Sequence, residues 1–164
     1  MENNIEFFEG MIDANECTDS IKAEINELIG DRACGLTTKE QLCDVIECLI
    51  SGENYIMIDF NDIRTTLMGN GDIDTITLET TLADCHNTLK SEIARIVDAH
   101  NGKKIKRIIF QFTTNDNFTI EHIQTLHTAI QEAIGIDDKI DMIWGCSANK
   151  STKDTIRLIL VAVF

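Results

Sequence analysis

Two aspartates three residues apart, Asp59 and Asp62 in the stretch MIDFNDIR (57–64), have the spacing best suited to chemistry. Residues i and i+3 of a helix share a face, so a helix starting here lets both carboxylates address one water. Capping explains them equally well. Asp59 suits an N-cap, and a negative charge at Asp62 in the first turn suits the helix dipole. Both readings stand on the residues alone. Other candidates carry less. His122 and His127 lie five apart and do not form an i, i+4 metal pair. His86 and His100 fall near opposite ends of a helix and read as surface residues. Cys146, after Trp144-Gly145, has no neighbouring histidine and reads as a packed thiol. Asp137, Asp138 and Asp141 read as a solvated acidic turn. No catalytic, cofactor-binding or metal-binding residue is assigned.

The bulk composition narrows the function classes. The chain has 164 residues, room for one domain with a real core, and a net charge of −14. Such a surface repels nucleic acids and anionic membranes. The one basic stretch, Lys103, Lys104, Lys106 and Arg107, lacks interleaved aromatic residues and reads as the solvated lead-in to a strand. The six cysteines (17, 34, 43, 48, 85 and 146) show neither CxxC nor Cys/His zinc spacing, and they read as reduced thiols of a cytoplasmic protein. The start, MENNIEFFEG, lacks the basic region of a signal peptide. No apolar run reaches the ~20 residues that span a membrane.

These residues need elements to position them. Residues 1–31 hold nine acids and one lysine, with helical spacing in Ile5, Phe8, Ile12 and again in Ile21, Ile25, Leu28, Ile29. That predicts an N-terminal helical segment, 1–36, acting as a lid or a docking arm. Leu42, Val45, Ile46, Leu49 and Ile50 predict a helix over 38–50, and a short helix follows from Asp59 to Leu67. IDTITLE (73–79) reads as a strand, 81–99 as a helix, KRIIFQFTT (106–114) as a strand and 119–135 as a helix capped by Thr119. KIDMIWGCS (139–147) and TIRLILVAVF (155–164) read as strands, the last apolar enough to lie centrally in a sheet. This order implies an α/β (α+β two-layer) domain over 37–164, with a four-stranded mixed sheet packed against helices and a closing hairpin.

The same segments resemble the C-terminal domain of the FtsZ/tubulin family. MIDFNDIR is similar to the family's Asn-x-Asp-Phe-x-Asp-Val/Ile loop and helix start. IKRIIFQFTTNDNFTIEHI is similar to its strand, polar loop and Thr-x-Glu helix start. DDKIDMIWGCSANKSTKDTIRLILVAVF is similar to its closing hairpin, with an aromatic-Gly pair, a polar turn, an Arg in the final strand and a terminal Phe. The resemblance runs from about Thr37 to Phe164. It implies that the loop at 57–64 is used in trans, inserted into the nucleotide pocket of a neighbouring subunit, where its acids position the attacking water. Met57 replaces the family's Asn and offers that water no useful hydrogen bond.

The family's glycine-rich phosphate loop has no counterpart, since the nine glycines are scattered. The expectation is a stand-alone, non-catalytic interaction domain without a cofactor. Its partner would be itself, as a homo-oligomer, or an FtsZ/tubulin-like protein that it caps, which would link it to cell division. Met57, Asp59, Phe60, Asp62 and Arg64 form the expected interface. Three alternatives stay open. One is a small enzyme with an inter-subunit active site, in which Arg64, Arg95, Arg107 and Arg157 would have to meet near a carboxylate. The others are a trans-acting half of a split FtsZ-like GTPase and a relic of one. Titration calorimetry with GTP, GDP and ATP is expected to show no heat of binding, and a micromolar Kd for any of them would overturn this reading.

Overall fold

A computed structural model describes residues 19–50, 54–115, 119–135, 140–148 and 155–164. The helix expected over 5–12, Asp137 and Asp138 lie outside the described residues. The elements run α1 (Asp19–Ile29), α2 (Lys39–Ile50), β1 (Asn54–Ile56), α3 (Phe60–Leu67), β2 (Ile73–Thr80), α4 (Cys85–Ala99), β3 (Arg107–Thr114), α5 (Ile120–Ile134), β4 (Asp141–Ala148) and β5 (Ile156–Val163). Each periodic segment among the described residues forms the element its pattern predicts. The four expected strands are present at eight residues each. The three-residue strand β1 extends their sheet at one edge, giving the order β1-β4-β3-β5-β2.

The sheet is mixed. β3 and β4 pair in parallel, joined across α5, and the other neighbours are antiparallel. The expected closing hairpin is not formed: β5 does not pair with β4 but lies between β3 and β2. The cause is the composition of β5. Leu158, Leu160 and Ala162 enter one core, while Ile159, Val161 and Val163 enter another, all at 1 % exposure or less. Only an interior position with helices above and below buries both sets.

The expected two layers therefore become three. On one face, Cys85, Leu89, Ile93 and Ile96 of α4 and Leu126, Ala129 and Ile130 of α5 pack against Ile108, Phe110 and Phe112 of β3. On the other, Ile25 and Ile29 of α1, Leu42, Val45, Ile46 and Leu49 of α2 and Ile63 and Leu67 of α3 cover Ile73, Ile109 and Ile159. Helix α1 is too short to be stable alone in water and owes its helicity to this face. Ile25 and Ile29 are fully buried, Ile21 and Leu28 flank them, and Lys22 bridges to Glu47 of α2 at 3.2 Å. Ile25→Ala and Ile29→Ala are each expected to cost about 2–5 kcal/mol in urea unfolding, the range for fully buried aliphatic side chains. Values below about 0.5 kcal/mol would mean that α1 is an appended arm contributing nothing to the core.

Candidate partner-binding site

The 57–64 segment begins at the sheet edge. Strand β1 pairs with β4, with Asn54 opposite Ser147 and Ile56 opposite Cys146. Gly145 lets the segment come this close. A Cβ there would lie 2.8 Å from the Ile56 carbonyl oxygen and 2.9 Å from Ile58 Cγ1. Ile58 fills that space and is buried at 2 %. Its neighbours face outward, Ile56 at 39 % and Met57 at 66 % exposure, so the chain presents two apolar side chains beside a tightly anchored one.

Helix α3 then starts on a complete capping box. Asp59 Oδ1 accepts from the Asp62 N–H (2.9 Å), and Asp62 Oδ2 accepts from the Asp59 N–H (3.3 Å). Eight residues make a marginal helix, and groups outside it hold both ends. At its C-terminus, Arg107 of β3 donates through Nη1 to the Thr65 carbonyl (3.1 Å) and through Nη2 to that of Met68 (2.6 Å). Arg32, from the segment after α1, donates to the carbonyls of Leu67 and Gly71. These cations complement the negative end of the dipole. Burial, and secondarily the nearby charge of Arg107, pull the Arg32 guanidinium below its ordinary value. On the surface of α3, Arg64 donates to Glu24 of α1 (2.6 Å) and to Asn61 (2.5 Å), and its guanidinium lies 4.9 Å from the centroid of the Phe60 ring. The hydrogen bond from Arg64 holds the Glu24 carboxyl below the usual carboxylate range.

The expected site residues thus share one rigid segment but have different occupations. Met57 is free at the surface, Asp59 and Asp62 cap each other's backbone, and Phe60 lies partly buried beneath Arg64. The four arginines do not converge within one chain. Arg95 pairs with Glu92 (2.6 Å) and Arg157 with Glu79 (3.1 Å), away from Arg64 and Arg107. His122 accepts the Thr119 N–H at the start of α5 (3.1 Å), and His86 faces Glu132 (3.0 Å). Among the described residues no cluster of His, Cys, Asp or Glu is placed to hold a metal, and no helix is long and apolar enough to cross a membrane. Cys34, Cys43, Cys48, Cys85 and Cys146 are free thiols. Burial pushes Cys48 up to about 12 and Cys85 up to about 11, which makes both inert.

One reading is corrected. His100 is not a surface residue. It is 3 % exposed, with Asp74 (0 %) on one ring nitrogen and Asp72 on the other. Asp74 was discoverable, because its place in β2 is in phase with Ile76 and Leu78. An acid on an apolar face signals a carboxylate with buried partners.

No family model matches the sequence, and no curated protein matches it. Solved structures do. An FtsZ from M. jannaschii carrying a tryptophan-to-tyrosine mutation aligns with a TM-score of 0.52 and 13% identity, covering 97% of this chain and 44% of that one. An empty FtsZ dimer from M. jannaschii gives 0.50 and 16%, covering 98% and 43%. CetZ1 from Haloferax volcanii, a GDP-bound monomer, aligns more loosely (0.45, 15% identity, 94% and 42% covered). The chain has an FtsZ/tubulin C-terminal-like fold and spans less than half the length of the FtsZ chains it matches. At this identity the likeness is one of fold.

The geometry ranks three substitutions. Asp59→Ala should destabilise by about 1 kcal/mol, while Asp59→Asn, which keeps the cap acceptor, should cost only a few tenths. Gly145→Ala should cost about 1–3 kcal/mol, because the added methyl meets backbone at Ile56. Thermal melts would check the order, and equal losses for Asp59→Ala and Asp59→Asn would show that charge outweighs capping.

Proposed function

We propose that this chain is a protein-interaction domain on an FtsZ-type fold, and that the segment from Ile56 to Arg64 docks onto a tubulin-like partner. The observation that carries this is the exposure of Ile56 and Met57 on a segment otherwise fixed at every point: Ile58 beneath it, β4 beside it and a capped helix after it. A backbone already anchored loses little conformational entropy on binding, which favours a docking surface. Met57 in the place of the resembled loop's Asn favours docking over positioning a hydrolytic water. One of the similar structures is an FtsZ dimer, so a second copy of this chain is the alternative partner. A net charge of −14 opposes that pairing by self-repulsion and favours a less acidic partner. Docked by this face, a domain without a glycine-rich phosphate loop would cap the end of a filament.

The test is to add the protein to a polymerising FtsZ from the same organism, following light scattering and phosphate release. Sub-stoichiometric protein is expected to slow growth, and Met57→Glu to abolish the effect without changing the fold, since that side chain is already in solvent. The double variant Asp59→Asn, Asp62→Asn separates two mechanisms. It leaves inhibition intact if the segment is a steric plug, and lowers phosphate release selectively if the acids act on a partner's water. Unchanged assembly and turnover at equimolar protein would sink the proposal.

A further inference from the structure

The segment between α1 and α2 runs along the outer edge of β2, which pairs with β5 on its other side only. Polar groups hold it there. The Ile73 N–H donates to the Ala33 carbonyl (2.9 Å). The Leu36 N–H donates to Asp74 Oδ2 (2.9 Å), and the Thr37 hydroxyl donates to Asp74 Oδ1 (2.5 Å), with the Thr75 N–H also on Oδ1 (2.9 Å). His100, at the end of α4, closes the arrangement. Its Nε2 lies 3.1 Å from Asp74 Oδ2 and its Nδ1 lies 3.4 Å from Asp72 Oδ2. The ring stacks on Phe164 at 4.1 Å. The connector passes so near that a Cβ on Gly35 would lie 2.7 Å from His100 Nε2 and 2.9 Å from Asp74 Oδ2.

A carboxylate only accepts hydrogen bonds, so an imidazole facing one from each nitrogen satisfies both only when both nitrogens carry protons. Asp74 is sealed from solvent, and the side chain of His100 is the basic group that the structure places against it. Asp72 has Lys103 as well. Arg32 and the Cys34 thiol, both on the connector, act on these acids through space. We propose that His100 is a proton-operated clasp: as an imidazolium bridging Asp72 and Asp74 it fixes the 33–37 connector to β2, and loss of its proton as pH rises frees the connector and uncovers the edge of the sheet. The sign follows from charge. Deprotonation leaves Asp74 buried without a counter-charge and turns one ring nitrogen's lone pair toward a carboxylate. Hydrogen bonds from Lys103 and then His100 hold Asp72 below the usual carboxylate range, so the Asp72 arm of the clasp persists into acid and opening belongs to the alkaline side. The uncovered edge offers the Ile73 N–H and Thr75 carbonyl for pairing with an added strand.

Cys34 lies on the connector and reports its release, while Cys43 on α2 serves as an internal reference for the thiolate reactivity both share. The full chain would be labelled with iodoacetamide from about pH 6 to about pH 9, the range spanning histidine titration, and the two sites quantified by peptide mass spectrometry. The Cys34-to-Cys43 labelling ratio is expected to rise several-fold with pH in the wild type. In His100→Gln it should be high and independent of pH. Nitrogen-15 spectra of the wild-type ring need no variant to fold: two protonated nitrogens are expected while the ratio is low, and one once it has risen. A flat ratio, or a rise while the ring keeps the same protonation, would overturn the clasp.

Discussion

The structure depends on one constraint, that β5 is apolar on both faces. Residues from Leu158 to Val163 alternate between two separate cores with almost no exposure. A strand of this kind cannot lie at an edge or on a half-open sheet without placing three or four aliphatic side chains in water, at about 1.5–3 kcal/mol each. It therefore takes an interior position between β3 and β2, sends β4 to the far side of β3, and requires helices on both faces. Helices α4 and α5 cover one face. The other falls to α1, α2 and α3, so the residues before the sheet are part of its packing.

That second layer brings the 57–64 segment to its place. Helix α3 is short, and its termini are satisfied by groups from several parts of the chain: its own two aspartates at the start, and Arg32 and Arg107 at the end. The residues best spaced for chemistry are thus already occupied in the isolated chain, holding a helix end. What stays uncommitted is the apolar surface of Ile56 and Met57 just before the cap. The structural role of the two acids is compatible with the docking proposed for this segment, because the capped helix start anchors the loop that precedes it.

The cluster around Asp74 and His100 follows a different principle. Burying a carboxylate is expensive, and a buried ion pair often contributes less to stability than apolar side chains of equal volume would. Its effect is on register. Asp74 accepts from Leu36, Thr37 and Thr75, which specifies where the connector crosses β2 more narrowly than apolar contact could. Gly35 is needed at that crossing because no side chain fits between it and the imidazole.

Periodicity was enough for the longer elements. The 3.6-residue repeats of α2, α4 and α5, the alternation in β2 and the apolar run of β5 are local patterns, and local patterns report which face of an element is apolar. The N-cap at Asp59 was legible for the same reason, since capping involves residues three apart. Three features were decided only in the tertiary structure. The position of β5 between β3 and β2, instead of beside β4, depends on which strands offer two covered faces, a property of the whole sheet. Strand β1 forms because β4 offers a free edge and Gly145 leaves room, neither of which is visible in the residues around Ile56. His100 looked like a solvated helix end because its partners are 26 and 28 residues away in sequence. A buried charge is defined by what surrounds it, and the chain supplies those surroundings only once it has folded.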